Sequence, residues 1–122
     1  MEYNTLMGLL TGYGVDAEGI EDLFMGNNEL YVICFSAFLS EPNHSALKAA
    51  MEKGSLDEAF FCAHALKGLS GNLGLTPYYE ADCELTEALR AKRRPDAERE
   101  YVRVSAELEK LREIAEKAEQ PS

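Results

Sequence analysis

The run Ser55-Leu-Asp-Glu-Ala-Phe-Phe-Cys-Ala-His64-Ala-Leu-Lys67-Gly68-Leu-Ser-Gly71-Asn-Leu-Gly74 constrains the fold more than any other stretch of the chain. It opens on Ser55-x-x-Glu58, the pattern of a capping box, in which hydroxyl and carboxylate satisfy free amides of a first helical turn. It closes on Gly74, a residue suited to a left-handed C-cap. Between them the spacing predicts a helix of about five turns. Leu56, Ala59, Cys62, Ala63, Leu66, Leu69 and Leu73 gather on one side of the helical wheel, as a buried stripe does. His64 projects about 160° from the centre of that stripe, at about 100° per residue. Lys67 and Gly68 lie one turn along from it, Gly71 one turn further, and Phe60 one turn before it.

A histidine is therefore expected to point away from the core, with a cation beside it and glycines around it. Gly68 and Gly71 each cost about 1 kcal/mol against alanine in a helix interior. A cost of that size suggests that something approaches the helix closely there. The string His-Ala-Leu-Lys-Gly-Leu-Ser-Gly-Asn-Leu-Gly resembles the active helix of histidine phosphotransfer (HPt) domains. That pattern reads His-x-Leu-Lys-Gly-x-[Ser/Ala]-x-x-[Leu/Ile/Val]-Gly, and every fixed position is filled.

A chain of 122 residues is read as one domain, 1–122. Hydrophobic residues make up 46% and charged ones 28%, which is the globular range. No apolar run approaches the ~20 residues of a membrane span, and no basic segment opens a signal peptide. A cytoplasmic protein without membrane contact is expected. The net charge of −10 argues against nucleic acid, whose phosphates it would repel. Cys34, Cys62 and Cys83 form no Cys-x-x-Cys, so zinc has no support. Each sits in an apolar helical pattern and is read as a buried free thiol.

Elsewhere the pattern is helical throughout. Residues 2–11 and a segment capped by Asp16 give two short helices, an N-terminal addition over 1–26. Asn27 or Asn28 caps the next helix, 29–39, which is apolar nearly all round and so expected to be central or doubly covered. Its β-branched and aromatic content also permits a strand; the capped neighbours favour a helix. Its opening, Asn-Asn-Glu-Leu-Tyr, also resembles the first bundle helix of bacterial HPt proteins. Pro42 or Asn43 opens a helix with Ala46, Leu47, Ala50 and Met51 inward, ending at Gly54. After the His64 helix, Thr76 as N-cap and Pro77 start a helix to about Lys92, whose basic end complements its dipole. Pro95 opens the last, with a seam of Tyr101, Val104, Leu108, Leu111, Ala115 and Ala118; residues 120–122 fray. Short connections imply antiparallel neighbours. The expected fold is all-α, an antiparallel up-and-down four-helix bundle over 27–119 with short N-terminal helices, which is also the HPt architecture.

Several chemistries are excluded. Cys62 and His64 point to nearly opposite sides and cannot pair. No Glu-x-x-His marks a di-iron bundle. No Gly-rich phosphate loop follows a strand, so no ATP site is evident. His44 lacks the motif and is read as a surface residue. Ser70 is expected to face the bundle. A lone exposed histidine is more often a surface residue with no role; Lys67 and the two glycines shift the balance toward function. Lys67 alone would be a solvated charge, and Phe60 could equally belong to the core.

The resemblance implies a phosphocarrier. His64 takes a phosphoryl group from a receiver aspartate on its outer ring nitrogen and passes it to another receiver. Lys67 pairs with phosphoryl oxygens. Gly68, Gly71 and Phe60 belong to the receiver-docking face. Implied partners are response-regulator receiver domains and a hybrid sensor histidine kinase. No cofactor is implied for this chain, since Mg²⁺ comes with the receiver. It is a phosphotransfer intermediate with no ATP-dependent kinase activity of its own, expected as a free-standing monomer with no fused kinase or receiver. The rival is a non-catalytic helical scaffold or interaction module, dimerising through the Tyr101–Ala118 seam or binding a partner helix there. That seam spans under three heptads, which favours the core.

Overall fold

The computed structural model describes residues 1–121, so Ser122, at the expected frayed end, lies outside the described residues. Among the described residues there are seven α-helices and no strand: α1 (Tyr3–Tyr13), α2 (Ala17–Leu23), α3 (Asn28–Leu39), α4 (Pro42–Glu52), α5 (Leu56–Asn72), α6 (Thr76–Arg90) and α7 (Arg94–Glu119). The expected all-α bundle is what forms. Helices α4 to α7 pack in sequence, each on the next. Two cross-links show the alternation of direction. Arg94, opening α7, donates to the Gly54 carbonyl beyond the end of α4 at 3.1 Å. Lys92, just past α6, pairs with Asp57 at the start of α5 at 3.3 Å. The ends of α4 and α6 and the starts of α5 and α7 therefore share one pole.

Helices α1 and α3 pack on each other and on α7. Tyr13 donates to Glu107 at 2.8 Å, and Tyr31 donates to the Leu73 carbonyl at 2.8 Å. A single apolar cluster draws on all seven helices, with Leu6, Leu10, Phe35, Leu66, Leu85 and Leu111 fully buried. Each such side chain contributes about 1.5–3 kcal/mol on leaving water. The α7 seam is part of this cluster: Val104, Leu111 and Ala118 are buried, and Tyr101, Leu108 and Ala115 pack against them. The seam is thus used, at least in part, by the chain's own core.

Gly74 fixes the pole opposite the cross-links. Its φ is +68°, the left-handed conformation. The Gly74 amide donates to the Gly71 carbonyl and the Leu75 amide to that of Ser70, which is a Schellman ending. A Cβ at Gly74 would also lie 2.9 Å from Ile20. The motif glycine thus closes α5 and lets the α1–α2 segment sit against the turn.

Several local expectations are corrected. Asp16 precedes α2 but its side chain makes no cap bond. Thr76 is not the N-cap of α6 but its first residue, with Leu75 at the cap; its hydroxyl turns back to the Gly74 carbonyl. Ser55 does cap α5 by accepting from the Glu58 amide, but Glu58 pairs with Lys53 at 2.6 Å instead of completing the box. Leu69 is not in the buried stripe; it is 39% exposed, at the stripe's edge. Helix α3 is covered on one face only. Tyr31, Phe35 and Phe38 are buried, while Leu30 is 43% and Ile33 57% exposed.

His44 is not a surface residue: it is 9% exposed. Only Ser40 and Glu41 separate α3 from α4, and that sharp corner brings His44 under the end of α3. Its Nε2–H donates to the Phe38 carbonyl at 2.8 Å, and the ring stands edge-on to Phe38 and Tyr78. Burial lowers its pKa below the usual histidine value; the bond to Phe38 opposes this, Arg112 adds to it and Glu41 opposes it. The stability it lends is present above the unfolded pKa and is lost as pH falls through the folded one. His44→Ala is expected to destabilise by about 2–3 kcal/mol, from a lost bond and a cavity. Urea denaturation at pH 7.5 measures it; a loss under about 0.5 kcal/mol would contradict this role.

Candidate functional site

His64 lies near the middle of α5, on its solvent side, and is exposed. Among the described residues no hydrogen bond or ion pair engages its ring. The nearest aromatic is Phe60, one turn earlier, with ring centroids 5.7 Å apart and planes inclined by 39°. Phe60 is half-buried and packs on the core, so it supports the imidazole from the side. Its neighbour Phe61 is the exposed aromatic, at 72%. The wheel leaves Phe60 ambiguous between core and surface; it packs on the core while Phe61 stays open.

A second cation stands on the same side. The Arg90 guanidinium lies 5.9 Å from the centre of the Phe60 ring. Its position at the end of α6 suggested only a dipole partner, because the register of α6 against α5 is not written in either helix alone. Lys67, one turn after His64, is half-buried and has no ion-pair partner among the described residues.

Gly68 has nothing within 4 Å of where a Cβ would stand. No internal contact uses the absent side chain, so its helix cost is not explained from within. Gly8 and Gly12 on α1 are equally open, so openness alone does not mark a site. What distinguishes Gly68 is its place beside His64 and Lys67. Gly71 differs. A Cβ there would lie 3.1 Å from the Tyr79 ring, so Gly71 admits an α6 side chain against α5. Lys67, Gly68, Gly71, Asn72, Gly74 and Tyr79 help line a shallow groove of about 410 Å³ between the two helices.

Behind this face is a buried acid that the sequence reading missed. Asp82 on α6 is fully buried and accepts from Thr86 at 2.9 Å through Oδ1. Its Oδ2 has no partner among the described residues. Burial pushes the carboxyl up to about 7, against the lowering effects of the Thr86 bond and the Lys67 charge. The signal was available: Asp82 sits between Tyr78 and Leu85, i+4 and i−3, on the inward face. Ser70 is buried as expected, its hydroxyl donating to the Lys67 carbonyl at 3.0 Å. No group of three or more potential metal ligands occurs among the described residues.

The family model for the Hpt domain matches residues 39–114, well over half of the chain. The chain belongs to the Hpt family. The match runs from the end of α3 through most of α7 and includes all of α5. No curated protein and no solved structure matches the chain. Membership carries histidine phosphotransfer in phosphorelays as the general function, and Hpt domains interact with receiver domains and kinases. No helix among the described residues is long and apolar enough to cross a membrane.

Proposed function

We propose that this Hpt protein relays a phosphoryl group between receiver-domain aspartates through His64. The observation that carries the reading is the setting of that imidazole: exposed at mid-helix, without a hydrogen bond among the described residues, one turn from Lys67 and the open surface at Gly68. In the forward step the Nε2 lone pair attacks the phosphorus of the receiver's aspartyl phosphate. The N–P bond forms as the P–O bond to the acyl group breaks, and the receiver carboxylate leaves. The proton on Nδ1 stays or exchanges with water. The reverse sequence on a second receiver returns the imidazole.

The phosphoryl group arrives activated, so positioning and charge do the catalytic work. Lys67 supplies positive charge to the phosphoryl oxygens, and Arg90 adds a second cation from α6. Phe60 holds the imidazole from one side. Gly68 leaves room for the receiver, and Gly71 shapes the rim through the Tyr79 ring it admits. Mg²⁺ is expected to be supplied by the receiver. The free thiols Cys34, Cys62 and Cys83 fit a reducing compartment, which supports the cytoplasm. The buried α7 seam favours a monomer over a scaffold dimerising there.

The test is a two-receiver relay. A labelled receiver is mixed with this protein and an unlabelled second receiver. Label is expected on the protein and then on the second receiver; transfer unaffected by omitting the protein would sink the reading. Gly68→Gln is expected to keep the fold, with stability raised by up to about 1 kcal/mol, and to weaken receiver binding at least tenfold. Unchanged affinity by calorimetry would count against the docking face.

A further inference from the structure

Asp82 is a group that the relay chemistry leaves unused. Its side chain is fully buried; Oδ1 accepts from Thr86, and Oδ2 has no partner among the described residues. A buried polar atom without a hydrogen bond costs about 1–3 kcal/mol. An apolar side chain at this inward position of α6 would avoid that cost. The packing of the bundle therefore gives no reason for an acid here.

The register of α6 against α5 shows what the acid faces. A Cβ on Gly71 would meet the Tyr79 ring, and Arg90 stands over the Phe60 ring. One antiparallel register satisfies both pairs, since eleven residues separate Phe60 from Gly71 and eleven separate Tyr79 from Arg90. The same register sets Gly68, three residues before Gly71, opposite Asp82, three residues after Tyr79. Lys67 adjoins Gly68, is half-buried and makes no ion pair among the described residues. Of the charged side chains, it is the one whose field moves the Asp82 carboxyl. The other groups on this side of the bundle surround Tyr78, one turn before Asp82. They are His44 of α4, edge-on to its ring, with Tyr13 of α1 and Tyr101 of α7. Glu107 of α7 holds the Tyr13 hydroxyl. Burial keeps the Tyr13 and Tyr78 phenols neutral, well above their ordinary range.

Lys67 thus stands between two anions, the carboxylate behind it and the phosphoryl group that His64 would carry one turn away. We propose that Asp82 is a positioning residue for Lys67. In the resting protein its carboxylate draws the ammonium toward the α5–α6 seam. A phosphoryl group on His64 pulls the ammonium off, and Asp82 takes a proton from water in its place. The inference rests on His64 as the phosphoryl acceptor and Lys67 as its neighbouring cation. Burial already holds this carboxyl at about 7, so the exchange falls near neutral pH. The sign for the relay follows by linkage. Phosphorylation binds a proton, so the phosphorylated protein is favoured as pH falls.

The test follows the ¹³Cγ resonance of Asp82 from pH 6 to 8.5, before and after His64 is phosphorylated by phosphoramidate, a small donor that needs no receiver. In the wild type the midpoint is expected to rise on phosphorylation by about half a pH unit or more. In Lys67→Met it is expected to stand high already and to move by less than about 0.2. A second arm measures the fraction of protein phosphorylated by a receiver. For the wild type relative to Asp82→Asn, that fraction is expected to fall about twofold or more from pH 6 to pH 8. An unmoved wild-type midpoint would overturn the inference, as would an equal rise in Lys67→Met or a ratio to Asp82→Asn that ignores pH. If receivers fail to label a protein that phosphoramidate does label, the relay reading fails and the resonance alone decides the role of Asp82. If phosphoramidate leaves His64 unlabelled, both fall.

Discussion

His64→Gln is expected to fold as the wild type does and to take no phosphoryl group from any receiver. The ring makes no hydrogen bond among the described residues, and its aromatic contact is with Phe60 alone. Removing an exposed side chain of this kind changes stability by about 0.5 kcal/mol or less. The loss of transfer, in contrast, should be complete. The sequence holds two histidines, and the other, His44, is buried with Nε2 committed to the Phe38 carbonyl. No second imidazole can take over. Label from a phosphorylated receiver should fall to background while the circular dichroism spectrum and urea midpoint stay put. Label retained on the folded variant would remove His64 from the mechanism.

Asp82→Asn is expected to remove a loss of stability that the wild type suffers as pH rises. The buried carboxyl has a folded pKa of about 7, raised above its ordinary value near 3.8. A raised folded pKa means that the native state holds the proton more tightly. The stabilisation is fully present below the unfolded value and is lost as pH rises through the folded one. Across pH 5 to 8 this amounts to about 3 kcal/mol in the wild type. His44 acts in the opposite sense, losing stability as pH falls, so the two partly cancel in the wild type. Subtracting the variant's profile isolates Asp82. Urea denaturation at pH 5 and pH 8 should show wild-type stability falling relative to the variant as pH rises. Equal pH slopes in the two proteins would mean that Asp82 titrates as a solvated acid.

The legible parts of this molecule were local. Helix α5 could be read because its stop, its buried spacing and its glycines lie within twenty residues, and each obeys a short-range rule. The solvent side of His64 followed from Leu66, Ala63 and Ala59 alone, all of which are buried. The α7 seam was read for the same reason. What could not be read depends on how helices meet. Leu69 sits at an edge of its stripe, and only the position of α3 decides that it stays open. Leu30 and Ile33 made α3 look central, yet covering a second face needs a neighbour that no local pattern promises. His44 lacked a motif, although its spacing to Leu47 and Ala50 placed it on the inward face. Asp82 and Arg90 act across to α5, and only the register of α6 gives them their place.

Where the phosphate sits after transfer from a labelled receiver tests the role of His64 best. A single acid-labile, base-stable phosphoryl group is expected on Nε2 of His64, seen by ³¹P nuclear magnetic resonance and by peptide mapping at neutral pH. A phosphoryl group on any other residue, or none on a folded wild-type protein presented with phosphorylated receivers, would contradict that role.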